Sequence, residues 1–288
     1  MRKKYTFIDL FAGCGGLSEG FYRQGFHALA HVEINHFACE SLRERMKYYG
    51  YKDIDKAVIE TDITREDIVD EIRKRCNTDN VDLIIGGPPC QSFSSAGRAR
   101  DEHGMKNDPR NYLFESYVKI LNAIRPKFFV FENVTGLLTA RLKGKRHIFT
   151  VLGELGKEYK VYNGNPSDMV FNTVNYGVPQ IRKRVIILGV RKDIDLEPAD
   201  LYKGIVKTNW DSDMSESERK GLQPPVTVRD AIGDLPPVPN GGGSNMMEFK
   251  PKAMNSFVQK IRSKDDETLL YHVTRKNNDK DKERYKVM

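Results

Sequence analysis

The chain has 288 residues, 39% of them hydrophobic, which is enough to bury a substantial core in one large domain or in a large domain plus part of another. Its 47 Lys and Arg against 40 Asp and Glu leave a net charge of +7, a field that favours a polyanionic partner once a second argument supports one. No apolar run reaches membrane-spanning length, and the four cysteines, Cys14, Cys39, Cys76 and Cys90, form no C-x-x-C pair. A helical membrane protein is thereby excluded, and a disulfide framework or zinc site is disfavoured. The N-terminus runs straight into a strand-like segment, as expected of a cytoplasmic protein without a cleaved leader.

In chain order, β-branched apolar runs alternate with helical patterns. YTFIDLFAG precedes LSEGFYRQG, and ALAHVE precedes NHFACESLRERMKYY. VDLIIGG is followed by a polar loop and NYLFESYVKILNAIR, and KFFVFENV by RHIFTVLGELGKEY. This alternation predicts an α/β fold with a doubly wound, mostly parallel sheet, whose ligands bind beyond the carboxyl ends of the strands. RKRVIILGVRK predicts a late strand, after which the composition turns to Pro, Gly and charge. The expected boundary lies near residues 191–196, giving a domain over 1–192 and a second, less regular region over 193–288.

The strand ends carry the chemistry. The first runs into Phe11, Ala12, Gly13, Cys14, Gly15 and Gly16, where glycines permit a tight turn and close approach of backbone to a ligand. The second ends in Glu33, twenty residues after Gly13, the spacing at which a carboxylate can accept hydrogen bonds from a ribose diol. At the third, Asp62 is either an acceptor for an adenine amino group or a helix N-cap, since DITRED reads as a helix start. Together these residues favour an adenosine-bearing cofactor over an empty turn.

The fourth strand leads through Pro88 and Pro89 to Cys90, followed by Gln91, Ser92, Ser94 and Ser95. A buried inert thiol is the common fate of a free cysteine, yet this one has a stiff approach and a polar exit. Arg98, Arg100, Arg182 and Arg184 are candidate sources of the positive charge that would favour a thiolate nucleophile. Cys14, Cys39 and Cys76 lack such surroundings and are expected to be structural. The fifth strand delivers Glu132 and Asn133; a carboxylate leaving an apolar strand can act as a proton donor, or Asn133 can cap a helix while Glu132 joins a salt bridge. Arg182 and Arg184, two apart, are expected to share one face.

With these residues assembled, the chain resembles the cytosine-C5 DNA methyltransferase family of bacteria. FIDLFAGCGGLSEGF looks like its first motif, GGPPCQSFS its nucleophile motif, FENV its glutamate motif and QIRKR its basic motif, in the family's order. The match covers roughly residues 5–190, and TVRDAIGDLPP resembles the start of a target-recognition region. The resemblance implies a Rossmann-like S-adenosylmethionine-dependent methyltransferase fold. It also implies a reaction in which Cys90 attacks carbon 6 of a flipped cytosine, Glu132 holds and protonates its N3 edge, and Arg184 with Arg182 binds the O2 side. The cofactor would be lined by Phe11, Ala12, Gly13, Gly15, Gly16, Glu33, Ile34, Asp62, Ile63, Pro88 and Leu113, with Ile34 where many relatives carry an aromatic residue. Gln91, Ser92, Ser94, Arg98, Arg110 and Asn133 would face DNA, the loop from Gln91 to about Arg110 closing over the flipped base.

The implied partner is double-stranded DNA, no membrane is involved, and a monomer is expected, in a bacterial cytoplasm and with room for a restriction endonuclease acting on the same site. The family's ninth and tenth motifs are not recognisable before Met288, so the recognition region is expected to be incomplete. Three other readings compete. A tRNA cytosine methyltransferase of the same family would usually carry a Cys-Phe-Thr tripeptide, which does not occur here. A silent DNA-binding regulator would not need Cys90, Glu132, Arg182 and Arg184 together. A nicotinamide-dependent dehydrogenase would explain the glycines and Glu33 but neither Cys90 nor Glu132.

Overall fold

The computed structural model of the chain describes residues 4–78, 80–89, 113–142, 145–248, 255–262 and 268–287. By their contacts these fall into two compact units, residues 1–171 with 183–206, and residues 172–182 with 207–288.

The first unit is built on a twisted sheet. β1 (Thr6–Leu10), β2 (His27–Glu33), β3 (Val58–Glu60), β4 (Leu83–Gly86) and β5 (Phe128–Val134) are parallel, in the order β3-β2-β1-β4-β5. β6 (Tyr159–Val161), β7 (Val170–Asn172) and β8 (Lys183–Arg191) complete it; β8 lies beside β5 and runs antiparallel to both β5 and β6. The intervening helices are α1 (Ser18–Arg23), α2 (His36–Tyr48), α3 (Ile68–Cys76), α4 (Leu113–Ile124) and α5 (His147–Leu155). This is the doubly wound, mostly parallel α/β fold that the alternation of runs predicts.

Because successive strand residues point to opposite faces, the inner strands feed two cores. Ile8, Leu10, Ile84, Phe129 and Phe131 pack with Ile72, Tyr117, Leu121 and Val151 of α3, α4 and α5. Phe7, Ala28, Leu83 and Ile85 pack with Tyr22 of α1, while α2 buries Cys39, Leu42 and Met46 against Ala12 and Val58. Phe129 fits because its register partner in β8 is Gly189: a Cβ there would lie 1.9 Å from the ring. Tyr202, from helix α6 (Pro198–Lys203), ties down β8 by accepting from Leu188 N–H at 2.9 Å and donating to Ile186 O at 2.8 Å.

The second unit has few buried side chains. α7 (Val228–Ile232) opens on a capping box in which the Thr227 hydroxyl accepts from Asp230 N–H and the Asp230 carboxylate accepts from Thr227 N–H at 2.8 Å. Asn175 donates to Asp211 at 2.9 Å, and Arg219 lies over the Trp210 ring at 4.6 Å. β9 (Gly243–Glu248) and β10 (Thr268–Val273) form an antiparallel ribbon with mostly exposed side chains. α8 (Val258–Ile261) buries Val258, and Arg262 just after it binds buried Asp234 at 3.1 Å; α9 (Asp279–Lys286) is solvated. Among the described residues no helix is long and apolar enough to cross a membrane.

Candidate active site

The chain moves outward from β1 to β3 and returns to β4 on the other flank of β1. The strand order therefore reverses between β1 and β4, where a crevice opens in folds of this type. Leu10 and Gly86 end side by side in register, and Gly86 must lack a side chain, since a Cβ would lie 2.6 Å from Leu10 O.

Beyond Leu10 the backbone takes positive φ at Phe11 (61°), Gly13 (54°) and Gly15 (81°). The glycines adopt this freely, whereas Phe11 is held there against its own preference, a feature that gathers at ligand sites. A Cβ on Gly15 would lie 2.8 Å from Leu42 of α2, while one on Gly13 or Gly16 would meet nothing within 4 Å, so open space lies over both. Ala12 is buried behind the turn.

Glu33 does not stand free at the end of β2. Its Oε2 accepts from Gly13 N–H at 2.8 Å, and its Oε1 accepts from Ile34 N–H at 2.9 Å and Asn35 N–H at 2.8 Å. Three amides thus fix a carboxylate with about four acceptor positions, leaving roughly one for a ligand. Asn35 in turn caps α2, its side chain accepting from Ala38 N–H at 3.0 Å. The twenty-residue spacing therefore reflects a direct bond between the two ends as well as any contact to a cofactor.

The Thr61 N–H donates to Glu33 O at 2.9 Å and brings the end of β3 beside it. Asp62 follows, but it caps no helix, because α3 begins only at Ile68. Its Oδ1 accepts from Thr64 N–H at 2.9 Å and from the Thr64 hydroxyl at 2.8 Å, which closes a side-chain turn instead. Of the other residues expected at the cofactor, Ile34 is 66% exposed, Ile63 is buried in the core, and Phe11 and Leu113 are half-buried against it.

The second half of the crevice is built on β4, β5 and β8. Arg184 Nε and Glu132 Oε1 are 2.8 Å apart, both side chains mostly shielded from solvent. Arg184 sits two residues from the register partner of Glu132, so both extend from one face of the sheet. A Cβ on Gly87 would lie 2.8 Å from Glu132 Oε2, so this glycine lets the carboxylate lie against the backbone that leads to Pro88. Buried Asn133 donates from Nδ2 to Pro88 O at 3.2 Å and accepts Val134 N–H on Oδ1 at 2.8 Å, which ties β5 to the same segment. It caps no helix, and both ends of its amide are taken by backbone. Arg182, one residue before β8, belongs to the second unit and is exposed. Cys90, Gln91, Ser92, Ser94, Arg98 and Arg110 lie outside the described residues.

Beneath the glycine turn sits Asp9, fully buried, its Oδ2 accepting from the Ser18 hydroxyl at 2.5 Å and its Oδ1 without a partner among the described residues. Burial pushes its carboxyl up to about 7; the Ser18 hydrogen bond opposes the shift and the negative charge of Glu33 adds to it. Neighbouring His31 is held down to about 4 by burial, and its Nε2 lies 2.7 Å from the Tyr22 hydroxyl. Burial likewise raises the thiols of Cys39, to about 11, and Cys76, to about 12, which makes both inert. Cys14, expected to be structural with them, is exposed.

Sequence reasoning missed Gly87 and Arg45. The Gly-Gly doublet before Pro88 was a signal for the first. Arg45 gave none: it reaches from α2 to donate to Cys14 O at 3.1 Å and pairs with Glu19, so the turn is held from thirty-one residues away.

Comparison with known proteins gives this arrangement a context. Residues 5–287 match the family described as C-5 cytosine-specific DNA methylase. The type II methyltransferase M.Bpa9945I of Bacillus paralicheniformis is 31% identical over 298 residues, an alignment covering 84% of this chain and 63% of the relative. For M.DdeI of Desulfomicrobium norvegicum the figures are 33% identity, 88% and 54%, and for M.AquIA of Picosynechococcus 37%, 82% and 90%. The chain thus spans somewhat more than half the length of the first two. Among solved structures, a prophage-encoded E. coli protein described as a DNA modification methyltransferase superposes with a TM-score of 0.62 at 26% identity, covering 89% of this chain and 64% of that one.

Proposed function

The chain belongs to the C-5 cytosine-specific DNA methylase family, and from that premise we propose that it methylates carbon 5 of cytosine in duplex DNA, with S-adenosylmethionine as donor. The observation that carries this reading is the Glu132–Arg184 pair set against the Gly87–Pro88 backbone, two residues short of Cys90. Residues 1–192 would hold the catalytic machinery and 193–288 the approach to target recognition.

The donor set around the glycine turn fits the cofactor: open space over Gly13 and Gly16, a carboxylate fixed by three amides, and half-buried Phe11. When bound there, S-adenosylmethionine would supply a sulfonium-activated methyl group. Carbon 5 of cytosine is itself a poor nucleophile, so the protein must first enrich it. Cys90, entering from the stiff Pro88–Pro89 approach, adds to carbon 6 and leaves an enamine across the ring. Glu132 holds the N3 and amino edge and delivers the proton that relieves the charge developing there. Arg184, helped by Arg182, binds the O2 side and orients the carboxylate through the 2.8 Å contact. Once carbon 5 carries the methyl group, loss of its proton to water, departure of the Cys90 thiolate and return of the N3 proton to Glu132 restore an aromatic product. Extruding the base from the duplex costs a few kcal/mol in lost stacking and pairing, which binding must offset.

The test is methyl transfer to unmethylated duplex DNA followed by hydrolysis to nucleosides, with 5-methylcytosine the expected product. Glu132→Gln should slow transfer about a hundredfold or more with cofactor affinity intact. Glu33→Ala should weaken cofactor affinity roughly ten- to a hundredfold. Methyl groups on a nitrogen of cytosine or adenine, or a Glu132→Gln variant as fast as the unaltered protein, would overturn the reading.

A further inference from the structure

At the opposite end of the sheet, where the strands begin, lies a cavity of about 530 Å³ that the methyl-transfer chemistry does not use. Its walls come from the segment before β1, the start of β2, the stretch between α2 and β3, and the end of α3. We infer that this cavity is a second ligand site, for a nucleoside phosphate.

Three features of the walls converge on that class. The first is unbalanced positive charge. Lys4, Lys52 and Lys56 line the cavity with Arg75, and among the described residues none of the three lysines forms an ion pair. Three neighbouring carboxylates are engaged elsewhere, Asp55 with Arg43 at 3.5 Å, Glu71 with Arg75 at 2.7 Å and Glu44 with Lys47, which leaves Asp53 as the one acidic residue in the lining. Lysines drawn to one concavity from separate segments repel one another until an anion joins them, and phosphate is the anion that such a set suits.

The second feature is a flat aromatic surface. His27 and Tyr51 stack with ring centroids 5.0 Å apart and planes 6° from parallel. Burial, and then Lys4, hold His27 below its ordinary value, so at pH 7 it offers a neutral ring face to a base. The Tyr51 hydroxyl accepts from Ala28 N–H at 2.7 Å and keeps its own proton to donate.

The third feature is Asp53 on the same wall. A carboxylate repels a bare anion but accepts from sugar hydroxyls. The lining therefore favours a phosphorylated sugar bearing a planar base over inorganic phosphate alone, and the volume lies within the range of small-molecule sites.

GDP is the suitable probe, because guanine shares no adenine with the proposed methyl donor. Calorimetry is run with saturating S-adenosylhomocysteine, so that the crevice at the other end of the sheet is filled. GDP should still bind, the double substitution Lys52→Glu and Lys56→Glu should weaken it at least tenfold, and His27→Ala should weaken GDP more than it weakens pyrophosphate. Three results would overturn the inference: no binding of GDP, equal GDP affinity in the double variant, or GDP binding abolished by S-adenosylhomocysteine. A short DNA duplex that depends on the two lysines while GDP does not would overturn it as well.

Discussion

The two units bury carboxylates in opposite ways. In the first, Asp9 is fully buried with one hydroxyl partner, and burial drives its carboxyl up to about 7. In the second, Asp234 is also buried, though less deeply, and the hydrogen bond from Arg262 outweighs burial and holds its carboxyl below the ordinary value. The first unit is stable enough through packing to carry an unpaired acid beneath its glycine turn. The second has little apolar burial and depends on polar ties, namely Arg262 to Asp234, Asn175 to Asp211, and His272 to Pro236 O at 2.8 Å. The Glu132–Arg184 pair and the glycine turn lie in the unit whose packing is dense.

The sharpest way to break this comparison is Phe129→Ala. It empties a fully buried ring site that Gly189 cannot fill, and should cost about 3 to 5 kcal/mol in chemical denaturation. A cost under about 1 kcal/mol would mean that the first unit is not held by this core.

Asp9→Asn comes next and works through pH. The folded carboxyl lies above its unfolded value near 3.8, so the native state binds the extra proton and a destabilising contribution grows as pH rises from about 4 to about 7. The variant should be more stable than the unaltered protein by a few kcal/mol at pH 8, with little difference at pH 4. Asp234 has the opposite sign: its contribution is present above about pH 4 and is lost as pH falls through its lowered folded value.

Arg262→Ala should cost about 2 kcal/mol at pH 7, because it strands a buried carboxylate, and the cost should shrink in acid as Asp234 takes a proton. Thr227→Ala, which removes one half of a capping box, should cost about 1 kcal/mol. If the last two changes were silent while Phe129→Ala were severe, the second unit would contribute nothing of its own to stability.

The same contrast decides what was legible in the sequence. The strands β1, β2 and β4 announce themselves as apolar runs buried on both faces, β5 as an apolar run buried on one face and half-buried on the other, and the cap at Asn35 stands where the helical pattern begins. The direction of β8 was not legible, since a run of apolar residues carries no sign of parallel or antiparallel pairing. β6 is too short, at 3 residues, to leave a period. The ribbon of β9 and β10 exposes most of both strands and so lacks the alternation that burial imposes. At the site, Glu132 and Arg184 were legible by type, but their pairing required the register of β5 against β8. The helix-cap alternative at Asp62 fails because a side-chain turn and a helix start use the same residues.

The central claim is covalent catalysis by Cys90 supported by Glu132, and it is tested most directly by trapping. Duplex DNA with 5-fluorocytosine in place of cytosine is incubated with the protein and S-adenosylmethionine, and the linked peptide is identified by tandem mass spectrometry. Fluorine cannot leave as a proton does, so the account predicts a persistent adduct through the Cys90 sulfur, absent in Cys90→Ala. An adduct of equal yield in Cys90→Ala, or one mapped to Cys14, would contradict it.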